Sequence, residues 1–147
     1  PRTGSRDQTH VLDPPVLLAW QRCRPRHTPQ ATPRLAPLPG QAFSSLRRAH
    51  TELITIATPV IEDIHQLVSG SGCAIVLTDG SACNLFMAGD TPAQDLIESY
   101  GLGQGAYWSE GQMGTNAAVV ALVNAMPTFV EGAEQYISAY HQLFSSA

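Results

Sequence analysis

The sequence predicts an α+β domain, with helices set beside an antiparallel sheet and a pocket between them. Three observations carry this reading. A long stretch of helical periodicity comes first. Two short apolar runs follow, joined by Asp79-Gly80-Ser81, a turn that antiparallel strands favour. A glycine-rich loop from Gly101 to Asn116 then opens onto a second apolar helical run. The order helix, hairpin, helix, loop, helix, strand is not the alternating order of a doubly wound sheet. Gly101-Leu102-Gly103 has no strand before it and no helix opening within reach, so a dinucleotide fingerprint is rejected.

The elements follow in order. Residues 1–10 are polar and expected to be disordered. Residues 11–24 predict a short helix, with Asp13 as N-cap, prolines in the first turn, and Val16, Leu17 and Trp20 on one face. Residues 25–40 hold prolines at 25, 29, 33, 37 and 39 and form a semi-rigid linker. The division is therefore an arm over 1–40 and a domain over 41–147. Residues 41–69 carry Leu46, Leu53, Val60 and Leu67 at heptad spacing, with Phe43, His50, Ala57 and Ile64 as a second row. A third row of Ile54, Ile61 and Val68 widens the stripe. Such a helix buries one flank on its own sheet and offers the other to a second copy, which predicts a homodimer; a monomeric amphipathic helix is the competing account. Pro59 predicts a kink, or two helices joined at Thr58.

Residues 73–78 and 82–87 are the hairpin strands. A helix runs from Thr91 to about Ser99, capped by Thr91 or Asp90 with Pro92 in its first turn. Another spans 115–124, residues 126–130 form a short strand, and 133–143 is helical or irregular.

Charge divides the chain. Lys is absent, and all eight Arg lie between Arg2 and Arg48, opposed there only by Asp7 and Asp13, a balance of +6 for residues 1–50. From Thr51 onward ten Asp or Glu face no Lys or Arg, a balance of −10. Phosphate neutralisation needs Lys or Arg, so the second half is not expected to bind nucleic acid. The basic arm is expected to pair with the acidic domain of its own chain. No apolar run approaches the roughly 20 residues that span a bilayer, so no membrane segment is expected. The chain begins with Pro rather than Met and reads as part of something longer. Cys23, Cys73 and Cys83 are odd in number and lack CxxC spacing, which disfavours a zinc site or a secreted disulfide scaffold and favours a cytoplasmic setting.

The candidate site is the glycine-rich loop and what surrounds it. Glycine enters positive φ without penalty, so five glycines between 101 and 114 mark tight turns or close approaches. Tyr107 and Trp108 supply flat apolar area, Glu110 a carboxylate, and Thr115 and Asn116 hydrogen bonds at a helix N-terminus. Strand alternation brings Phe86 to one sheet face, and the late aromatics Phe129, Tyr136, Tyr140 and Phe144 are available to close the cavity. With no fixed cation in this half, a neutral or cationic small metabolite suits the lining. The groups that could serve catalysis (Glu110, His141, His65, Ser109, Cys83 and Asp79) form no nucleophile–base–orienter pattern, so no enzyme is expected. His65 and His141 lack metal-ligand spacing, and no metal or cofactor is expected.

Several islands of sequence resemble one family. Val16-Leu-Leu-Ala-Trp20-Gln-Arg22-Cys23 is similar to an SWxRC signature, with Ala19 where Ser is usual. Pro59-Val-Ile-Glu62-Asp63-Ile-His65 is similar to a helix motif, Gly70-Ser-Gly-Cys-Ala-Ile-Val-Leu-Thr-Asp79 to a first strand, and Gly101-Leu102 with Trp108-Ser-Glu-Gly-Gln-Met-Gly-Thr-Asn116 to the most specific island. Together they resemble the N-terminal GAF sensor domain of bacterial enhancer-binding regulators of acetoin and glycerol (dihydroxyacetone) catabolism.

The resemblance implies a six-stranded antiparallel sheet flanked by helices, often dimeric, which senses a small metabolite or a partner protein. A polyol or small ketone fits that implication, with the ligand held by Phe86, Tyr107, Trp108, Glu110, Thr115, Asn116 and Tyr140. The family's sheet gains two more strands after the point where this sequence stops, so C-terminal strands are expected to be missing. No Walker A motif or C-terminal helix-turn-helix is present, which leaves the output to a following module. A ligand-free dimerisation module and the input domain of a sensor histidine kinase are the alternatives.

Overall fold

Pro14 and Pro15 preset the backbone for a first helical turn, and helix α1 (Pro14–Cys23) begins there. The computed structural model describes residues 12–33 and 35–147, with backbone alone at 144–146. The expected disorder of 1–10, the first residue of the predicted 11–24 helix and the ring of Phe144 therefore lie outside the described residues. Asp13 occupies the N-cap position of α1 without a side-chain cap bond. The buried face is Val16, Ala19 and Cys23, whereas Leu17 is 46% exposed. The apolar face is thus rotated from the one read off the sequence, because the core selects the 16–19–23 row. The segment expected as an arm supplies these three side chains to the interior.

The long helix is divided at His50 rather than at Pro59. Helix α2 (Gly40–Ala49) ends where the His50 amide is shared between Leu46 O and Arg47 O, 3.2 Å from each, a tightened last turn. The Thr51 hydroxyl then donates to Arg48 O at 2.8 Å and absorbs another free carbonyl. Helix α3 (Thr51–Val68) continues through Pro59, whose ring faces solvent. The Thr58 hydroxyl bonds back to Ile54 O at 2.7 Å, so no join forms there.

The widened stripe on α3 separates into two rows. Ile54, Ala57, Ile61 and Val68 turn inward, and Ile61 is the most buried at 7% exposure. Leu53, Ile56, Val60, Ile64 and Leu67 face outward, between 41% and 86% exposed. The inner row packs on strands β1 (Ala74–Thr78) and β2 (Asn84–Gly89), an antiparallel hairpin with Val76 opposite Met87 and Leu77 opposite Phe86. Asp79 shapes the turn: its Oδ1 accepts from Ser81 N at 2.8 Å and Cys83 N at 2.9 Å. At the hairpin's open end Gly89 lies against Ala74, and a Cβ on Gly89 would stand 2.5 Å from the Ala74 Cα.

Helix α4 (Thr91–Ser99) carries Pro92 in its first turn as expected, but its N-cap Asp90 makes no side-chain cap bond. The Asp90 carboxylate turns back instead. It accepts from Gly70 N at 3.0 Å and Gly72 N at 2.8 Å, with His65 Nε2 at 3.2 Å. These amides, then His65, hold its pKa down to about 2. One carboxylate thereby ties the end of α3 to the start of α4.

Helix α5 (Ala117–Asn124) is capped by Asn116, and Thr115 is not the cap. The predicted 126–130 strand shifts to β3 (Phe129–Glu131), paired antiparallel with β4 (Phe144–Ser146). Between them the segment expected as helical or irregular forms two short 3-10 turns at Gly132–Glu134 and Ser138–Tyr140. Among the described residues, four strands therefore make two separate pairs in place of one six-stranded sheet. The main core gathers Cys23, Leu102, Trp108, Met113, Ile137 and Tyr140.

Two predictions follow from this packing. Gly89→Ala lowers thermal stability, since the new methyl meets the Ala74 backbone rather than a movable side chain. Asp90 is depressed from 3.8 to about 2, so its contribution is present above pH 4 and disappears as pH falls toward 2. Asp90→Asn is therefore less heat-stable than the wild type at pH 7 in calorimetric scans, and the two curves converge between pH 4 and pH 2.

Candidate functional site

The glycine-rich loop does need its glycines: Gly101, Gly105 and Gly114 take positive φ. At Gly101 the need is twofold, because a Cβ there would stand 2.6 Å from Leu35 O of the proline-rich segment. The loop backbone is woven into the hairpin end. Cys83 and Tyr107 form an antiparallel bridge, Trp108 N donates to Ala82 O at 2.8 Å, and Gly105 N donates to Asn84 O at 2.7 Å.

Trp108 fills the space beneath the loop. It is 7% exposed, and its Nε1 donates to Leu102 O at 3.0 Å, a carbonyl that also accepts from Asn84 Nδ2 at 3.2 Å. Asn116 locks the loop to the helix that follows. Its Oδ1 accepts from Val119 N at 3.1 Å, while Nδ2 donates to Trp108 O at 2.6 Å and Gly114 O at 3.1 Å. Three of its four hydrogen-bonding positions are thus used. Thr115 Oγ1 sits 3.5 Å from Cys23 Sγ, and both groups are buried.

Glu110 is committed to α1. Arg22 Nε donates to both carboxylate oxygens at 2.9 and 3.0 Å, and Nη2 to Oε1 at 2.5 Å. The Glu110 carbonyl accepts from His27 Nε2 at 2.9 Å, which makes that nitrogen the protonated one. This ion pair is a direct case of the basic arm pairing with the acidic domain. Trp20 adds to the clasp: its Nε1 donates to Glu134 O at 2.6 Å, and its ring meets Tyr136 edge-on at 5.3 Å.

The structure brings Trp108 and Tyr140 into one core cluster, places buried Thr115 and Asn116 at the neighbouring start of α5, and sets Glu110 above them. Tyr140 is 1% exposed, stands edge-on to Tyr100 at 5.6 Å, and its hydroxyl has no hydrogen-bond partner; burial first, then Tyr100, lifts its pKa to about 12. Asn84 Oδ1 and Gln135 Oε1 are likewise buried and unpartnered. Phe86 and Tyr107 are half-buried at the hairpin, apart from the Glu110–Arg22 pair. Of the late aromatics, Tyr136 is buried and Phe129 is 55% exposed.

Trp20, Arg22, Cys23 and His27 complete this constellation from the arm, and the candidate residues read from sequence had omitted them. The concentration of every Arg before residue 49 was the signal for such pairing, but sequence separation hid which carboxylate was matched. The buried thiols Cys23 and Cys83 are held protonated, the latter with its pKa near 11, chiefly by desolvation. Among the described residues no group of three or more His, Cys, Asp or Glu side chains could hold a metal ion. The arrangement is suited to fixing shape.

Two clefts open on the surface among the described residues. One, of about 540 Å³, lies between the proline-rich segment (His27, Ala31, Leu35, Ala36) and the loop residues Gly111 and Gln112. The other, about 400 Å³, is lined by Pro127, Thr128, Phe129 and Ala147.

The same residues are matched, from 2 to 146, by the family described as MimR, N-terminal domain. The glycerol metabolism operon regulatory protein of Citrobacter freundii is 31% identical over 142 residues, covering 95% of this chain and 22% of that protein. The PTS-dependent dihydroxyacetone kinase operon regulatory protein of Escherichia coli K12 is 25% identical over 113 residues, 77% of this chain and 18% of that protein. The acetoin catabolism regulatory protein of Cupriavidus necator is 24% identical over 153 residues, 95% of this chain and 23% of that protein. The chain thus spans about a fifth of the length of these relatives, which are regulators rather than enzymes. In fold it is similar to the E. coli DhaR(N)–DhaL complex structure, with a TM-score of 0.83 and 22% identity over 86% of this chain and 43% of that one.

Removing the Trp108 ring by Trp108→Ala is predicted to cost about 3–5 kcal/mol in denaturant unfolding, the range of large core truncations. Arg22 is 39% exposed, so solvent screens the clasp; Arg22→Ala is predicted to cost only about 1 kcal/mol in the same measurement.

Proposed function

Because the chain belongs to the MimR N-terminal domain family, we propose that it is the signal-receiving regulatory domain of a bacterial transcriptional regulator. In this reading it hands its state to output segments elsewhere in the regulator, acts in the cytoplasm, performs no catalysis and makes no direct contact with DNA. The tethering of the loop to α1 through Arg22–Glu110 and Cys23–Thr115 carries the reading. A signal that moved the loop would move α1 with it. A sensor-kinase input would use the same geometry, but the relatives' names favour transcription.

The first candidate for the signal is a partner protein. Trp108, Leu102, Met113 and Tyr140 occupy the space beneath the loop, leaving its outer surface as the receiving face. That a similar fold is seen in a complex with another protein supports this choice. A small neutral metabolite is the second reading, favoured by the unpartnered Tyr140 hydroxyl and Asn84 side-chain Oδ1. It would contact Phe86, Tyr107, Trp108, Glu110, Thr115, Asn116 and Tyr140, and it requires the loop to lift.

The outward row of α3, five large apolar side chains repeating over four turns, is proposed as the seam of a homodimer. Residues 1–40 serve in this scheme as a regulatory arm on a 41–147 sensor domain.

Calorimetric titration with glycerol, dihydroxyacetone and acetoin separates the two signals. The protein reading predicts no saturable heat at millimolar concentration; saturable heat that is lost in Glu110→Gln would establish the metabolite instead. Sedimentation tests the seam: the chain is predicted to dimerise with concentration, and Leu53→Glu to remain monomeric with unchanged helicity.

A further inference from the structure

The cleft beside the loop is where the basic and acidic halves of the chain meet without cancelling. Its volume of about 540 Å³ falls in the range that receives a small organic molecule. One wall is aliphatic: Ala31 and Leu35 lie on the main core cluster and present their outer surfaces to the cleft. The opposite wall is Gly111 and Gln112. Among the described residues no carboxylate lines it. The carboxylate of Glu110, the chain neighbour of Gly111, is taken by Arg22.

Arg26 remains uncommitted. It is exposed, and its Nη1 lies 3.8 Å from where a Cβ on Gly111 would stand. Among the described residues no acidic group pairs with it. His27, in the cleft wall, has its Nε2 proton fixed on Glu110 O. An otherwise acidic domain thus carries one aliphatic cleft with an unpaired guanidinium at its edge.

We propose that this cleft binds a small organic anion, a carboxylate or a phosphate monoester with a short aliphatic body. Arg26 receives the anionic group in a charge-assisted hydrogen bond, and Ala31 and Leu35 cover the aliphatic part. Gly111 leaves the approach open. An uncharged polyol offers Arg26 only neutral hydroxyl acceptors, which hold a guanidinium more weakly than an anionic oxygen does, and an extended polyanion is repelled by the −10 balance of residues 51–147. This site lies on the outer side of the loop, apart from the space beneath it that Trp108 and Tyr140 fill, and it does not rest on which signal the domain receives.

Amide NMR titration of the whole chain tests it, with sodium hexanoate, sodium phosphate and 1-hexanol as probes. Hexanoate is predicted to shift the Gly111 and Gln112 amides saturably, and 1-hexanol to bind those amides at least tenfold more weakly. Arg26→Gln should weaken hexanoate about tenfold, the loss of one charged hydrogen bond. Gly111 does not need positive φ, so Gly111→Leu should fill the cleft, abolish the shifts and keep the wild-type melting temperature. Phosphate shifting the same amides supports a phosphate ester as the natural group; hexanoate alone supports a carboxylate. Equal response to hexanoate and hexanol, indifference to Arg26→Gln, or shifts confined to α3 would overturn the proposal.

Discussion

The docking of α1 against the glycine-rich loop is the constraint on which the rest of the structure depends. The loop has little regular structure of its own, so its backbone polar groups need partners from elsewhere. The hairpin end satisfies some, Asn116 others, and α1 closes the remaining side. Burying Val16, Ala19 and Cys23 there removes apolar surface from water, on the order of 1.5–3 kcal/mol for a fully buried Val. Arg22 and Glu110 set the angle at which that surface meets, since a guanidinium fork accepts a carboxylate in few orientations. Apolar burial supplies the affinity and the ion pair supplies the register.

A second tension lies in α3. The helix lays its inner row on a two-stranded hairpin, which alone is only marginally stable in water. It leaves five large apolar side chains outside. At one end His65 bonds to Asp90 beside that same hairpin, and at the other His50 Nε2 stands 3.8 Å from Asp79 Oδ2 of its turn. A helix held this way keeps its outer face presented at a fixed angle.

Much of this was legible in the residues. The hairpin follows from Asp79-Gly80-Ser81 between apolar runs, α4 from Asp90-Thr91-Pro92, and α5 from Asn116 before an apolar stretch. These are local signals, and local chemistry decides them. Pro59 does not divide the helix, because a proline on the solvent side loses only one amide bond, whereas at His50 the last turn of α2 tightens and the Thr51 hydroxyl takes a freed carbonyl. Asp90 misled for a different reason: two free glycine amides across the turn compete for its carboxylate more strongly than its own helix does. The candidate site was half visible. Trp108, Glu110, Thr115 and Asn116 were singled out by type and spacing, but Arg22 and His27, which bond to Glu110, and Cys23, which meets Thr115, lie more than 80 residues away from them. The islands around Arg22 and Glu110 were each conspicuous in sequence; nothing in the spacing said that they touch.

Hydrogen exchange of the loop amides, compared between the whole chain and one shortened to begin at residue 28, tests most directly whether α1 holds the loop in shape. The account predicts that amides from Trp108 to Val120 lose protection when α1 is gone, while those of the β1–β2 hairpin keep theirs. Undiminished protection across that loop in the shortened chain would contradict it.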